Sequence, residues 1–564
     1  AIERITLRNP NPYDGEAFYN RGICLKLLQR DEQAYESLHK ALWNVAWAGP
    51  ANYALAELAC KKTDFVDAIE KLDEALRHNS FNTRATALKI TVLRKLDQHD
   101  EARALAEKAR QADPLCQLAY FELYCLGDSI DEFIKVSRQN YATILELAAH
   151  YATAGFYQEA IELCSYSNED YPMLSYVTGL YQLRSGVEPV AFQKAATLKS
   201  DYCFPSSLEE MIALQAAIAV TPEDGMAHYY LANLFYDKRQ HSLAISHWQQ
   251  AAKLVPQFAT IFRNLGLAYF NNLNDAEKAL AAYEKAFELN STDGRVLFEY
   301  DQLRKKLNHP LPERLNFIEK HSQLIQQRDD LTVEWMTLKN LVGEHEAVVE
   351  LLEHRWFTPW EGGEGKVVMQ YETAHIALGH QALKNEQYQL ALTHFQACKV
   401  YPDNLGEGKM VTTPENNIDY FIGLAQEAAG QESQAELSFK RAAEKQLCST
   451  DMLYFEALAC RKLNLESEAQ LAISRIQAVS ADAANREPEI DYFAISLPDF
   501  LVFDNNLVLA NKIESLYFAA LDKVLNEEFC AAQALLDNIL QLDPAWQKAH
   551  NLQLTFSLQL LSEA

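Results

Sequence analysis

The sequence predicts an all-α fold: a superhelical solenoid of stacked helix pairs with irregular insertions. At 564 residues the chain is too long for one compact domain of about 100 to 200 residues, so it is several domains or one repeat array. Only 19 Gly and 17 Pro occur, hydrophobic residues reach 49%, and alternating β-branched stretches are scarce, which favours helices. The third observation is a helix-pair pattern that recurs along the chain.

The recurring pattern has a small residue in a first helix, helix A, and an Ala about twelve positions later in a second helix, helix B. A bulky residue follows the Ala by four positions, and a small residue lies three further on. The clearest copy is Ala232, Ala244, Trp248, Ala251 and Pro256. The helix-B Ala recurs at Ala34, Ala68, Ala102, Ala160, Ala244, Ala279, Ala347, Ala391, Ala435, Ala469 and Ala532.

The spacing of these Ala residues identifies the repeat class. The interval from Ala34 to Ala68 recurs from Ala68 to Ala102, and the step from Ala279 to Ala347 is twice as long, which predicts a degenerate copy near Glu313. A helix-turn-helix period of about 34 residues, as seen here, is the tetratricopeptide signature. The sequence therefore predicts tetratricopeptide-like repeats that stack on their neighbours.

The residue types have a packing reason. Small residues let helices A and B approach closely, and the bulky residue four positions after the Ala lies on the same face of helix B and fills the groove. Aromatic residues at this spacing are therefore predicted to be core: Trp248, Tyr283, Phe395 and Phe439.

Breaks in the period divide the chain into four predicted segments. These are N-terminal repeats (1–114), degenerate helical repeats (115–225), repeats with two loop insertions (226–480), and an irregular segment with a C-terminal helix pair (481–564). Residues 480–511 are apolar and aromatic, but Pro488 and Pro498 interrupt any helix there. Because this stretch is too apolar for a free linker, we expect it to pack against the repeats.

Two consecutive steps, from Ala347 to Ala391 and from Ala391 to Ala435, are equal, and each contains ten residues more than the usual period. Both additions follow helix B and carry the tetrapeptide Gly-Glu-Gly-Lys, at 363–366 and 406–409. Equivalent loops of neighbouring repeats stack along one edge, so we expect the two loops to be neighbours. The candidate ligand-binding residues on this edge are Trp356, Trp360, Glu361, Glu364, Lys366, Glu407 and Lys409.

Two roles remain open for this edge. The loops are elaborate helix caps whose Glu and Lys residues pair between repeats, or Trp and carboxylate side chains there bind the apolar face and polar rim of a sugar or peptide. A phosphate-binding P-loop is excluded, because the required preceding Gly is missing and Val367 and Met410 follow the lysines in place of Ser or Thr.

Composition excludes other classes of function. The formal charge of −27 opposes nucleic acid and anionic membrane surfaces as partners. No apolar run approaches the ~18 residues of a membrane span. We find no His-Glu-x-x-His, paired-cysteine or Gly-x-Ser-x-Gly motif, so no metal, cofactor or catalytic residue is predicted.

The ten cysteines are scattered and contain no Cys-x-x-Cys, which indicates small core residues in a reducing compartment and predicts a cytoplasmic protein. The chain starts at Ala1 without Met or a signal-like sequence. We therefore expect it to be a processed product or a segment of a longer protein.

Seven stretches carry a resemblance to a known family. They are WNVAWAGPANYALAEL (43–58), DYCFPSSLEEMIALQAAI (201–218), YYLANLFYDKRQ (229–240), RNLGLAYFNNLNDAEKALAAYEKAF (263–287), the WEGGEGK and NLGEGK loops, and IDYFAISLPDFLVFD (490–504). Across nearly the whole chain the sequence resembles the C-terminal tetratricopeptide part of long bacterial proteins. The resemblance implies an N-terminal mutarotase-like domain of unknown function beyond this chain, and it carries no catalytic residue onto it.

Two functions follow as hypotheses. The first is a scaffold in which helices A line a groove that holds a protein or peptide segment, or docks the family's N-terminal domain. The alternative is an accessory helical half of a carbohydrate-active enzyme, with Trp360 and Glu364 contributing to a sugar site. The orientation of the two loops discriminates between them.

Overall fold

The computed structural model describes residues 4, 7–10, 14–360, 362–445, 450–488 and 502–562. Within those residues it contains 31 α-helices, one 3₁₀ helix and no strand, so the all-α prediction is confirmed. The chain divides into two compact units, Ala1–Pro256 and Gln257–Ala564. The four segments predicted from the sequence divide it more finely and stay predictions.

The first unit contains fifteen of the described helices. In chain order they are α1 Glu16–Leu27, α2 Asp31–Ala41, α3 Val45–Lys61, α4 Phe65–His78, α5 Thr83–Lys95, α6 His99–Ala112, α7 Gln117–Cys125, α8 Asp131–Ser137, α9 Tyr141–Thr153, α10 Tyr157–Cys164, α11 Pro172–Arg184, α12 Val190–Ala195, α13 Leu208–Val220, α14 Gly225–Asp237 and α15 His241–Leu254.

The second unit contains the other sixteen and the 3₁₀ helix Asp403–Leu405. The α-helices are α16 Ala259–Leu273, α17 Ala276–Leu289, α18 Gly294–Lys306, α19 Leu311–Glu319, α20 Ser322–Ile325, α21 Asp329–Leu341, α22 His345–His354, α23 Lys366–Lys384, α24 Tyr388–Ala397, α25 Asn416–Ala428, α26 Glu432–Ala442, α27 Met452–Lys462, α28 Glu466–Asn485, α29 Leu507–Leu525, α30 Phe529–Leu542 and α31 Gln547–Ser562.

Each regular repeat pairs a helix A with the helix B that follows it, as α14 with α15 and α25 with α26. The predicted small-to-bulky contact forms between them. A Cβ added to Gly379 would lie 2.4 Å from Phe395 Cε1, and one added to Gly423 would lie 2.6 Å from Phe439 Cε1. Glycine is therefore required where the aromatic ring of helix B crosses helix A. The four aromatic residues predicted as core, Trp248, Tyr283, Phe395 and Phe439, are 0 to 4% exposed, so that prediction is confirmed.

The predicted helix-B Ala lies four positions after the N-cap of its helix, as Ala244 after Gln240 in α15. Ten of the eleven predicted positions are buried, with 0 to 3% of their surface exposed. The prediction of Ala347 as the buried residue of α22 is wrong. The N-cap there is Glu344, so the equivalent position is Val348, which is fully buried, while Ala347 is partly exposed. The step to Ala391 is therefore one position shorter, and the first loop insertion has nine extra residues instead of ten.

The degenerate copy predicted near Glu313 is α18 with α19. Its helix-B position, four positions after the N-cap Pro310, is occupied by Arg314, which is 1% exposed. Arg314 donates to Asp301 at 3.1 and 2.6 Å and to Glu334 at 2.6 Å. A buried cation thus replaces the usual Ala, and two carboxylates from neighbouring helices A neutralise it.

The stretches that break the repeat period are short helices or packed segments in the part of the chain that the structure describes. Residues 117–137 form the short pair α7 and α8, and α13 stands between two regular repeats. Of the apolar stretch 480–511, residues 489–501 lie outside the described residues. Phe503 beyond them is 2% exposed, and its ring centroid lies 5.1 Å from that of Phe270 and 5.7 Å from that of Tyr283. The expected packing of this stretch against the repeats is confirmed at Phe503.

Candidate functional site

The two Gly-Glu-Gly-Lys loops are neighbours, as the repeat spacing predicts. The backbone N–H of Gly365 in the first loop donates to Glu407 Oε2 in the second at 2.7 Å. The backbone N–H of Phe357 donates to the carbonyl of Asn404 at 2.9 Å, and the Asn404 amide donates to the carbonyls of Leu352 and Arg355 at 2.6 and 2.7 Å. The second loop therefore holds the end of the preceding helix B through hydrogen bonds to its main chain.

Lys409 at the end of the second loop stabilises the fold. Its ammonium donates to the carbonyl of Cys398 at 2.6 Å and pairs with Glu415 at 2.8 Å. It also lies 4.9 Å from the ring centroid of Tyr401, and only 11% of its side chain is exposed. The protein itself thus satisfies this cation, which acts as a C-terminal cap of α24.

The remaining predicted site residues do not converge. Trp360 packs on Gly363, where an added Cβ would lie 2.1 Å from Trp360 Cε2, and its indole joins the apolar cluster that contains Val367. Trp356 is 74% exposed, and Glu364 is exposed. Lys366 begins α23 and is partly exposed, and Glu361 lies outside the described residues.

The predicted contact between the loops is therefore confirmed. Glu407 makes this contact and Lys409 caps α24, whereas Glu364, the equivalent of Glu407 in the first loop, is exposed. Binding of a ligand at this edge stays a prediction.

A second candidate site lies on helices A of the second unit, where the C-terminal helix α31 packs. We call the surface formed by α23, α25, α27 and α29 under α31 the C-terminal groove. Helix α31 contacts α23, although α24 to α30 lie between them in the chain. A helix of this chain therefore already occupies the groove.

Three kinds of contact hold α31. Lys548 Nζ lies 3.0 Å from Asp451, the residue that precedes α27. Trp546 packs edge-on against Tyr517 of α29, with 4.8 Å between ring centroids. Ala549, Leu552 and Thr555 are 0, 4 and 8% exposed and lie three positions apart, so they share the buried face of the helix.

A cavity of about 100 Å³ remains between α31 and the groove. His380 of α23 lines it at 5% exposure, with its ring against Phe395 and Phe421. Among the described residues neither ring nitrogen of His380 has a hydrogen-bond partner. Burial lowers the pKa of His380 to about 3, so the ring is neutral at physiological pH. The fit of α31 therefore leaves a buried polar group unsatisfied.

The C-terminal groove is not among the sites predicted from the sequence. The sequence predicts a C-terminal helix pair but not which helices the last helix contacts. Two signals were available in the sequence. Ala549 and Leu552 are three positions apart, and His380 closely follows the apolar residues 376–378 of α23.

The first unit contains a larger cavity, of about 580 Å³, lined by residues that include Arg94, Lys95 and Glu159. Arg94 donates to Glu122 at 2.8 Å and to Glu159 at 3.3 Å, and Lys95 lies 2.5 Å from Glu159. Burial on its own raises the pKa of Glu159, but Lys95 and Arg94 lower it below its usual value. Carboxylates of the protein thus neutralise both cations. The cavity therefore has no excess positive charge with which to bind an acidic ligand.

The described residues contain no group of three or more His, Cys, Asp or Glu that could hold a metal ion. None of the described helices is both long and apolar enough to cross a membrane.

Comparison with known proteins agrees with this fold. A family model described as "Tetratricopeptide repeat" matches residues 53–115, and one described as "TPR repeat" matches residues 232–272. The chain therefore contains tetratricopeptide repeats and has the fold of a tetratricopeptide-repeat protein, a fold that generally mediates interactions between proteins. Neither of these two matches concerns a mutarotase-like domain.

Two named relatives match parts of the chain. Tetratricopeptide repeat protein 37 of Xenopus laevis is 34% identical over 90 residues, which cover 15% of this chain and 6% of that protein. Superkiller complex protein 3 of Homo sapiens is 27% identical over 148 residues, which cover 25% of this chain and 8% of that protein. The matched stretches thus span less than a tenth of either relative.

Solved structures match longer parts at low similarity. The P58(IPK) TPR domain is 13% identical, with a TM-score of 0.23, and the match covers 87% of this chain and 99% of that one. YrrB, described as a TPR protein with an unusual peptide-binding site, is 17% identical, with a TM-score of 0.17, and the match covers 41% of this chain and 98% of that one.

Proposed function

We propose that this chain is a tetratricopeptide-repeat scaffold that binds a helical segment of a protein partner in its C-terminal groove. The observation that supports the proposal is the position of α31, which lies across helices A of four repeats in the same unit. A surface that accepts one amphipathic helix has the shape and the apolar lining to accept another of similar pattern. On this proposal α31 is an internal ligand that a partner helix displaces.

The loose fit of α31 favours displacement. Of its side chains described between 547 and 555, only Ala549, Leu552 and Thr555 are buried, and the cavity beside His380 is unfilled. A partner with a larger apolar side chain at the equivalent of Leu552, which lines the cavity, fills it, and a hydroxyl or amide there satisfies His380. Both gains favour the partner over α31.

The charge of the groove indicates which residues the partner helix should carry. Asp451 pairs with Lys548, and the chain as a whole carries a formal charge of −27. The partner helix should therefore carry a Lys or Arg near its N-terminal end, followed by small and aliphatic residues three and four positions apart. A segment of another protein and a helix from a domain elsewhere on the same polypeptide both fit this description. The family resemblance makes an N-terminal domain one such source.

The carbohydrate alternative has less support, because the predicted sugar-binding residues Trp360 and Glu364 do not converge, and Trp360 packs into the fold. We therefore favour the scaffold. For the cellular location we propose a reducing compartment such as the cytoplasm, because the nine cysteines that the structure describes are free thiols.

A peptide of residues 544–562 with a fluorescent label tests the proposal on the full chain. We expect weak binding to the wild type, because the attached α31 competes at a high effective concentration. Leu552→Asp combined with Lys548→Glu should loosen α31 and raise the affinity for the peptide at least about tenfold. Adding Asp451→Lys to that variant should lower the affinity again, because the charge of the groove is reversed.

The matched control is Leu437→Asp, the same apolar-to-acidic change at a residue of α26 that is 57% exposed. It should bind the peptide as weakly as the wild type. Far-UV circular dichroism checks that every variant keeps its helices. Equal binding to the control and to the loosened variant, or no binding to either, would contradict the proposal.

A further inference from the structure

A short segment outside the helices, residues 502–505, lies against the repeats that begin the second unit. It precedes α29 in the chain and contacts the C-terminal ends of α16 and α18. Its contact between Val502 and Asn271 joins residues that are 231 positions apart. Chain connectivity therefore does not impose the contact, and a peptide with the same residues on another molecule can make it.

One side chain of α16 holds the main chain of the segment. Nδ2 of Asn271 donates to the carbonyl of Val502 at 2.9 Å, and the backbone N–H of Asp504 donates to Oδ1 of Asn271 at 3.2 Å. The two bonded groups lie on either side of Phe503 in the segment. Because both belong to the main chain, they provide affinity that does not depend on the side chains of residues 502 and 504.

Phe503 is the anchor of the segment. It is 2% exposed, and its ring lies edge-on to the rings of Phe270 and Tyr283, with 5.1 and 5.7 Å between ring centroids. It belongs to the same apolar cluster as Leu297 and Leu303 of α18. Buried aromatic anchors of this kind supply much of the binding energy at protein interfaces.

A cation lies beside the residues that follow Phe503. Lys306, the last residue of α18, donates to the side-chain oxygen of Asn505. Burial lowers the pKa of Lys306, and the carboxylate of Asp504 partly offsets this effect. Asp504 and Asn505 are exposed, so an acidic side chain at either position can approach Lys306 from solvent. The cation therefore favours a segment that is acidic after its phenylalanine.

The surface that holds the segment is formed by helices that pack together without it. We call this surface the aromatic slot, and it consists of Phe270, Asn271, Tyr283 and Lys306. Its helices α16, α17 and α18 contact one another in chain order. A Cβ added to Gly266 of α16 would lie 2.5 Å from Tyr283 Cδ2, so α16 and α17 make the usual close contact of a repeat. Since each repeat is stabilised mainly by its neighbours, the slot keeps its shape when the segment leaves.

We propose that the aromatic slot is a second binding site, which takes a short non-helical segment of a partner protein in place of residues 502–505. The partner segment carries a phenylalanine, preceded by an aliphatic residue and followed by an acidic one. The phenylalanine fills the slot, the main chain binds Asn271 and the acidic side chain faces Lys306. None of the slot helices belongs to the C-terminal groove, so this site is tested independently of the proposed function.

A labelled peptide of residues 501–507, with photo-reactive leucine at the position of Val502, tests the proposal on the full chain. We expect weak binding to the wild type, because the attached segment competes at a high effective concentration. Phe503→Ala removes the internal anchor and should raise the affinity for the peptide at least about tenfold, with cross-links on α16 to α18. Phe81→Ala, at a phenylalanine of the first unit that is 91% exposed, is the matched control and should bind as weakly as the wild type.

Two changes in the Phe503→Ala background test how the peptide is recognised. Asn271→Ala removes both main-chain hydrogen bonds and should lower the affinity for the peptide about tenfold. Lys306→Glu should also lower it, and a peptide with Lys in place of Asp504 should restore binding to that variant. This exchange of charges separates recognition of the acidic residue from general loosening of the slot.

Far-UV circular dichroism checks that each variant keeps its helices. If Phe503→Ala does not, Asp504→Pro is the second loosened variant, because it removes the N–H that donates to Asn271 and keeps Phe503. It should likewise raise the affinity for the peptide. The proposal is overturned if a helical loosened variant binds the peptide no more tightly than the wild type, or if its cross-links lie outside α16 to α18. Loss of the helices in both loosened variants also overturns it, because the slot then does not form without residues 502–505.

Discussion

Glu407 Oε2 accepts a hydrogen bond from the backbone N–H of Gly365 at 2.7 Å, and this bond joins equivalent loops of two adjacent repeats. Gly365 is the N-cap of α23 and has a left-handed backbone with φ of +77°. A carboxylate at the N-terminus of a helix satisfies a free N–H and interacts favourably with the helix dipole. The second loop therefore caps the helix that the first loop introduces.

Replacing Glu407 should weaken this cap. We expect Glu407→Ala to lower the free energy of unfolding by about 1 to 2 kcal/mol, the usual cost of losing a helix N-cap. Chemical denaturation followed by circular dichroism measures it. Glu364→Ala, at the exposed equivalent in the first loop, is the control and should change stability by less than about 0.5 kcal/mol. A larger loss for Glu364 than for Glu407 would mean that the loops contact each other differently.

Gly406 and Gly408 of the same tetrapeptide should respond differently to a methyl group. Gly406 has φ of +77°, and a Cβ there would lie 2.6 Å from the carbonyl oxygen of Phe357. A Cβ on Gly408 would meet nothing within 4 Å. Gly406→Ala should therefore destabilise by about 1 to 3 kcal/mol, through backbone strain and a clash with main chain, and Gly408→Ala by much less. Comparable melting temperatures for the two variants would refute this account of the loop.

Two tryptophans offer a matched test of the predicted core. Trp248 is 2% exposed and its indole N–H donates to Asn233 at 3.0 Å, whereas Trp356 is 74% exposed. Trp248→Ala should cost about 3 to 5 kcal/mol, because it leaves a cavity between helices α14 and α15. Trp356→Ala should leave the melting temperature nearly unchanged. If the two variants melt alike, the repeat register around Ala244 is wrong.

The repeat array could be predicted because close packing of helices A and B restricts residue types locally. Gly379 and Phe395, or Gly423 and Phe439, lie within one repeat, and their spacing is visible in the sequence. The wrong prediction of Ala347 also follows from this restriction on residue types, since the buried position holds Val348 and the pattern requires Ala there. Arg314 departs further from the repeat pattern, which requires a small residue at this position. Its burial is explained only by its two carboxylate partners.

The site was harder to predict than the fold. The contact between the two loops follows from similar insertions in adjacent repeats, so the sequence reveals it. The contact between Lys548 and Asp451 joins helices that are far apart in the chain, and no local pattern encodes it.

The ion cluster around Arg314 should make stability depend on acid pH. Glu334 is buried and accepts from Arg314 at 2.6 Å and from Lys305 at 3.2 Å. Burial on its own raises the pKa of Glu334, but Lys305 and Arg314 lower it to about 2. An unfolded glutamate has a pKa of about 4.3. The charged form of Glu334 therefore stabilises the fold above about pH 4.3, and this contribution is lost as the pH falls toward 2.

Glu334→Gln should thus be less stable than the wild type at pH 7, by up to about 3 kcal/mol, and the difference should shrink steadily between about pH 4.3 and pH 2. Denaturation curves of both proteins at a series of pH values measure it. Lys305→Gln removes one of the two cations and should make the difference smaller without abolishing it, because Arg314 remains. Arg314→Ala leaves Asp301 buried without its cation and Glu334 with Lys305 alone, and should cost about 3 to 5 kcal/mol at neutral pH. A wild-type advantage over Glu334→Gln that stays constant from pH 7 to pH 2 would mean that the charge of Glu334 does not stabilise the fold, and that Arg314 is held by Asp301 alone.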